Sequence, residues 1–76
     1  MTIKAYVLIE TQIGKTKEVV ENIRRIGGVD SVDVVTGPYD AIAVVQGGTI
    51  NDIGDLIVAK VHPVAGISRT VTCIVV

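Results

Sequence analysis

A Gly-Pro-Tyr-Asp corner at residues 37–40 joins two apolar runs and places polar groups where they could bind a ligand. Gly37 can adopt a positive φ without steric cost, and Pro38 fixes its own φ at about −65°, so the pair predicts a tight reversal. Tyr39 and Asp40 follow directly, and a hairpin mouth is a position where the scaffold orients binding groups. The corner alone leaves a second interpretation open, in which Asp40 only accepts hydrogen bonds from turn amides.

The polar residues as a set favour a binder of a small zwitterion. Asp40 could accept hydrogen bonds from an ammonium group, while backbone amides and the hydroxyl of Thr70 or Thr72 donate to a carboxylate. Both threonines lie in the last predicted strand, where threonine is also simply a favourable residue. Gly47-Gly48 precedes a predicted helix and its amides could hold an anion, although such a glycine pair is also typical of a plain turn.

Few groups in the sequence suit catalysis or metal binding. The single histidine, His62, and the single cysteine, Cys73, lack the partners that a metal site or a catalytic pair requires. We expect Cys73 to be a small buried strand residue. Pro63 disfavours helical geometry for His62. The pair therefore ends the predicted helix, and this structural role accounts for His62 without a chemical one. Since no glycine-rich nucleotide loop is present either, we predict a protein that is not an enzyme and uses no cofactor and no metal.

Composition narrows the classes of partner. Hydrophobic residues make up 49% of the 76 residues, but aromatic residues make up only 3%, so Val, Ile, Leu and Ala must form the core. The seven basic residues are scattered and the net charge is −1, which argues against direct nucleic-acid binding. No apolar run has the length of a membrane span or the flanks of a signal peptide, so we expect a cytoplasmic protein without a membrane partner.

Apolar periodicity predicts the element order β-α-β-β-α-β. Strands are expected at residues 3–9, 29–36, 39–46 and 67–75, with helices from about residue 16 to the glycines at 27–28 and from residue 50 to His62. Thr49 and Asp52 form a capping-box pattern at the start of the second helix. Residues at helical spacing predict its buried face: Ile50, Ile53, Ile57 and Val61.

Two strand-helix-strand halves indicate an α+β, ferredoxin-like fold in a single domain over residues 1–76. Right-handed crossovers give the strand order 4-1-3-2 in a four-stranded antiparallel sheet, with both helices on one face. The two central strands are apolar at both parities, whereas a half-exposed antiparallel sheet alternates apolar and polar residues. We therefore predict that a second subunit covers the helix-free face.

With this order of elements, residues 35–44 closely resemble the valine, Gly-x-Tyr-Asp and apolar-strand signature of one regulator family. The chain is similar to the effector-binding domain of the leucine-responsive (Lrp/AsnC) transcriptional regulators over essentially all of its length. Further resemblance lies in the opening strand at 5–9, the Gly28-Val29 entry to the second strand and the closing strand at 70–72. Full-length members carry a helix-turn-helix before this domain, and here the first strand follows Met1 directly. The chain thus resembles a stand-alone regulation-of-amino-acid-metabolism module, for which no DNA contact is expected.

The resemblance implies that the protein senses a free amino acid. It implies dimers formed through the sheets, dimers assembled into octameric or decameric rings, and amino-acid effectors held between neighbouring dimers. Gly37, Tyr39 and Asp40 match the effector-loop motif of the family directly, and Thr70 and Thr72 are the candidates from the last strand. Such a module would act through its own assembly or by co-assembly with full-length Lrp/AsnC regulators.

Two other functions fit the same residues. One is a non-sensing oligomeric scaffold, in which Tyr39 and Asp40 are interface contacts and no effector binds. The other is a ferredoxin-like enzyme of the small dimeric α+β barrel monooxygenase type. Those enzymes need a polar or cofactor-lined cavity, and this chain has too few histidine, asparagine and aromatic residues to line one.

Overall fold

A four-stranded antiparallel sheet, covered on one face by two helices, forms the framework of the molecule. The computed structural model describes residues 2–76. Its elements are β1 (Ile3–Thr11), α1 (Thr16–Arg24), β2 (Val29–Val34), β3 (Ala41–Gly47), α2 (Ile50–Leu56), a π-helical segment (Ile57–Val61) and β4 (Ile67–Ile74). The element order and the sheet order β2-β3-β1-β4 confirm the predicted ferredoxin-like α+β fold.

Strand β1 lies inside the sheet and fixes which residues share a face. It pairs antiparallel with β3 and β4, so that Ile9 stands opposite both Ala41 and Thr70, and Tyr6 stands opposite Cys73. Successive side chains of a strand point to opposite faces. Ile9 and Thr70 therefore belong to the helix-bearing face, whereas Tyr6 and Cys73 belong to the helix-free face.

The hydrophobic core fills the space between the sheet and the helices. Ala5, Val7 and Ile9 of β1 are fully buried, as the alternation of that strand requires. Helix α1 covers them with side chains at helical spacing, and α2 with its π-helical extension does the same: Val19, Val20, Ile23, Ile53, Ile57 and Val61. Branched aliphatic residues and alanine thus form the core, which agrees with the near absence of aromatic residues.

Ile50 is an exception to the predicted buried stripe of the second helix. Its side chain is 61% exposed, whereas Ile53, Ile57 and Val61 are buried. A spacing of three keeps Ile50 on the same side of the helix as Ile53, but Ile50 is the first residue of α2, directly after the Thr49 cap. Because side chains tilt toward the N-terminus of a helix, that of Ile50 extends past the helix start, so the prediction for it was wrong.

The start of α2 confirms the predicted capping box. The Asp52 amide donates to Thr49 Oγ1 at 3.1 Å, and the Thr49 amide donates to Asp52 Oδ2 at 3.1 Å. Both bonds satisfy amides that the first helical turn leaves without intrahelical partners.

The helix ends at His62 as predicted, but the conformation of His62 differs from the prediction. His62 keeps helical dihedrals, φ −56° and ψ −36°, although it precedes Pro63. Its amide donates to Ile57 O at 2.8 Å, a bond across five residues that closes a π-turn. This bond holds the helical conformation up to His62, so the expectation that proline would displace its predecessor was wrong.

Two glycines mark the close approach of the helices to the strand entries. Gly66, before β4, has φ +97°, and a Cβ there would lie 2.9 Å from Lys15 Cβ and Val19 Cγ2 of the α1 region. Gly28, before β2, has φ +94°, and a Cβ would lie 3.2 Å from Leu56 Cδ2 of α2. The two halves of the chain therefore pack in the same way: in each, a glycine before a strand lies against a helix.

Candidate functional site

The β2–β3 connection is wider than the tight reversal predicted from Gly37 and Pro38. The strands end at Val34 and Ala41, and the Val35 amide donates to Asp40 O at 3.0 Å, so residues 36–39 form the loop. Pro38 has no amide hydrogen with which to extend the strand ladder. Gly37 does adopt the predicted positive φ, +122°.

Asp40 links this loop to the end of β1. Its amide donates to Ile9 O at 2.9 Å, and its carboxylate Oδ2 accepts from the Thr11 amide at 2.8 Å. The carboxylate thus does bond a main-chain amide, as the simpler interpretation supposed, but the amide belongs to a strand 29 residues away rather than to the turn. The bond fixes the side chain and uses one of its two oxygens.

The same end of the sheet gathers several further contacts. Thr11 Oγ1 lies 2.7 Å from Thr16 Oγ1 at the start of α1, and the Gln12 amide donates to Gly66 O at 2.7 Å. Asp40, through Thr11, is therefore tied to the β1–α1 connection. The loop that carries the candidate binding residues rests on fixed elements, as an oriented site requires.

The two candidate threonines lie on the helix-bearing face of the edge strand β4. Thr70 is level with Ala41 but two strands away, because both stand opposite Ile9. Thr72 stands opposite Val7, nearer the middle of the sheet. The structure therefore places Thr70 and Asp40 at the same end of the sheet without direct contact.

His62 makes a contact that the sequence did not indicate. Its Nε2 lies 3.1 Å from Thr70 Oγ1. The two residues are eight positions apart and belong to different elements, so no local pattern signals the contact. From the sequence, His62 was expected to have only a structural role at a helix end.

The helix-free face of the sheet has an apolar centre and a polar rim. Its central residues occupy neighbouring positions on β3, β1 and β4: Tyr6, Leu8, Ile42, Val44, Val71 and Cys73. We call these six residues the open-face patch. Around it, Glu10 stands opposite Arg69 at one end and Lys4 opposite Gln46 at the other, with Lys4 Nζ 5.1 Å from the centre of the Tyr6 ring.

Cys73 corrects one expectation from the sequence. It is exposed, not buried, because it stands opposite Tyr6 on the open-face patch and no helix covers that side. The Tyr6 side chain is itself 39% exposed. The burial expected for Cys73 is therefore absent in a single copy of the chain.

A shallow groove of 310 Å³ lies elsewhere, between α1 and the end of β2. It is lined by Thr16, Lys17, Val20, Glu21, Arg24 and Val34. Arg24 is already engaged there, since its Nη2 donates to Val32 O at 2.9 Å. None of the residues proposed for ligand binding lines this groove.

Neither a metal-binding cluster nor a membrane-crossing helix is found within residues 2–76. No group of three or more His, Cys, Asp or Glu side chains in that range could hold a metal ion. No helix in the same range is long and apolar enough to cross a membrane.

The ferredoxin-like sheet carries a polar loop held at one end, and comparison with known families assigns this fold to a class of ligand-binding domains. Residues 4–76 match the model of the Lrp/AsnC ligand binding domain. Since the match covers nearly the whole chain, the protein belongs to the Lrp/AsnC family. The resemblance seen in the sequence is thereby confirmed.

Three similar proteins illustrate the range of the family. An uncharacterized HTH-type transcriptional regulator of Pyrococcus furiosus is 34% identical over 73 residues, which are 92% of this chain and 49% of the relative. The chain thus spans about half the length of the curated relatives it matches. The solved structure of TTHA0845 from Thermus thermophilus is 30% identical with a TM-score of 0.92, covering 97% of this chain and 92% of that one.

The third is the transcriptional regulator NMB0573 of Neisseria meningitidis, solved as a complex with L-Met. It is 14% identical with a TM-score of 0.86, covering 97% of this chain and 49% of that one. At this identity the similarity shows a shared fold.

Proposed function

We propose that the protein is an amino-acid-binding regulatory module that senses a free amino acid at the interface between its own copies. The observation that carries the proposal is the loop at residues 36–39 with the adjoining Asp40, in a chain that belongs to the Lrp/AsnC family. The L-Met complex of the Neisseria regulator, which has the same fold, supports an amino acid as the class of effector.

The chemistry of the site suits a zwitterion. The Thr11 amide donates to one carboxylate oxygen of Asp40. This bond fixes the position of the negative charge before a ligand binds. The carboxylate receives the effector ammonium group, with Gly37 and Tyr39 beside it on the loop. The hydroxyls of Thr70 and Thr72 donate to the effector carboxylate.

The open-face patch supports a homodimer. Leu8, Ile42 and Val44 are apolar and half-buried, although they occupy the face that carries no helix. An apolar centre within a polar rim is the usual anatomy of a protein interface. Two copies that join these faces bury both patches at once, since a twofold interface uses the same surface on each subunit.

Dimers that assemble further, into octameric or decameric rings, would bring two Asp40 loops of neighbouring dimers together. An effector that contacts two chains stabilises the assembled state by RT ln(1 + [L]/Kd) for each site. Binding is then read out as a change in assembly. Co-assembly with full-length Lrp/AsnC regulators would pass that change on to transcription.

Isothermal titration calorimetry with each of the twenty standard L-amino acids tests the sensor directly. We expect heat of binding from at least one of them, and the same titration of the Asp40→Asn variant should show affinity reduced at least tenfold. Asparagine keeps an oxygen for the Thr11 amide but lacks the charge that receives an ammonium group. Absence of heat from all twenty would contradict the sensor.

A non-sensing scaffold is the second candidate, and the bond from the Thr11 amide to Asp40 favours it. That bond gives the carboxylate a structural role sufficient to account for its presence. A scaffold in which Asp40 is an interface contact predicts that Asp40→Ala weakens assembly and that no amino acid changes the assembly, whereas a sensor predicts intact assembly and lost ligand binding. Light scattering with and without amino acids separates the two functions.

A further inference from the structure

We propose that His62 is a positioning residue of the effector site: its Nε2–H donates to Thr70 Oγ1 and so turns the Thr70 O–H toward the effector carboxylate. The proposal rests on the proposed function, because it assigns the partner of Thr70 in that site. The direct observation is the distance of 3.1 Å between His62 Nε2 and Thr70 Oγ1.

The direction of this one hydrogen bond decides what Thr70 can offer a ligand. A hydroxyl has a single proton and two lone pairs. If Thr70 donated to an unprotonated Nε2, only lone pairs would face the effector, and these repel a carboxylate. If Nε2–H donates instead, the Thr70 proton remains available for the carboxylate. A Thr70 hydroxyl that donates to the effector carboxylate therefore requires the second arrangement.

The backbone is fixed on both sides of His62, whose side chain is exposed. Val61 is buried, the His62 amide is bonded to Ile57 O at 2.8 Å, and the Val64 amide donates to Val61 O at 3.0 Å. The π-turn that includes the first of these bonds interrupts the regular α-helical pattern directly before His62. Such π-turns occur frequently at functional sites in proteins.

Substitutions at position 62 distinguish a role of His62 in orienting Thr70 from a role in maintaining the fold. The titrant is the amino acid that gives the largest heat among the twenty. His62→Ala should weaken its binding about tenfold, which corresponds to losing the oriented hydrogen bond from the Thr70 hydroxyl to the effector carboxylate. His62→Gln should restore most of the affinity, because its terminal amide can reach Thr70 Oγ1, and His62→Asn, one methylene shorter, should not. Lys60→Ala, an exposed change in the same segment, is the matched control and should bind like the wild type.

Two further measurements test the hydrogen bond itself. The double variant His62→Ala, Thr70→Val should bind the effector as weakly as Thr70→Val alone. His62 contributes to affinity only through the Thr70 hydroxyl, which the valine has already removed. Nitrogen-detected NMR of the imidazole should show a proton on Nε2.

The possible results distinguish this proposal from the proposed function. Wild-type affinity in His62→Ala, with binding lost in Asp40→Asn, would overturn the role of His62 and leave the sensor intact. An unprotonated Nε2, or additive losses from positions 62 and 70, would overturn it as well. Absence of binding by the wild type to all twenty amino acids would overturn both proposals together.

Discussion

The Asp40 carboxylate combines a structural bond with a charge, and the two contributions can be separated by mutation. The Thr11 amide that it binds lies beyond the pairing of Ile9 with Ala41, where β1 no longer pairs with β3. The side chain therefore replaces a main-chain acceptor at the sheet end. Any change at Asp40 that removes this acceptor alters the loop as well as the ligand chemistry.

We predict that Asp40→Ala lowers the free energy of unfolding by about 1–2 kcal/mol, because it leaves the Thr11 amide without its acceptor. Asp40→Asn should stay within about 0.5 kcal/mol of the wild type, since the amide oxygen can accept the same bond. Urea unfolding at one fixed protein concentration measures both changes, because assembly would make stability depend on concentration. Equal losses in the two variants would show that the charge, not the acceptor, stabilises the loop.

At the scale of elements, the packing of α1 against the start of β4 depends on Gly66. Gly14 provides a matched control, since its φ is +78° but no atom of the described residues 2–76 lies within 4 Å of the position that a Cβ would take. Alanine at Gly14 should cost about 1 kcal/mol from the left-handed conformation alone. Alanine at Gly66 should cost about 2–4 kcal/mol, because overlap with Lys15 and Val19 is added. Similar losses in urea unfolding would contradict the role of close packing.

The capping box of α2 gives a second prediction at this scale. Thr49→Ala should destabilise the protein by about 1 kcal/mol, because the Asp52 amide loses its acceptor. Thr49→Ser retains the hydroxyl and should lose less than half of that. Chemical denaturation of the two variants beside the wild type provides the measurement, and an equal loss in both would assign the effect to the threonine methyl group instead of the cap.

These elements also show how far the sequence could predict the structure. The capping box, the order of the elements and the positive φ of Gly37 depend on local pattern, and all were predicted. The bond from the Thr11 amide to Asp40 joins segments 29 residues apart, so no local pattern signals it. The π-turn before His62 is local, but the general effect of proline on its predecessor predicts the opposite geometry there.

At the scale of the whole molecule, the two faces of the sheet have unequal surroundings. The helix-bearing face is closed by a core of branched aliphatic residues and alanine, whereas no part of residues 2–76 covers the open-face patch. A chain of 76 residues buries a smaller share of its surface than a larger domain does, so it gains more from a partner. The exposed Cys73 and Tyr6 would then become buried in the assembled protein.

We predict that the wild type elutes at a multiple of its 8.0 kDa chain mass, and that Val44→Lys shifts it toward the monomer. Val44 stands opposite Tyr6 within the open-face patch, so a lysine there places a charge in the centre of the dimer interface. The control is Val58→Lys, which adds the same charge to a valine that is 64% exposed near the end of the second helix. Size-exclusion chromatography with light scattering at micromolar concentration compares the three proteins.

Because Val44 contributes nothing to the core between sheet and helices, loss of assembly in Val44→Lys with retained secondary structure would place the interface on this face. A wild-type mass of 8.0 kDa would refute the dimer.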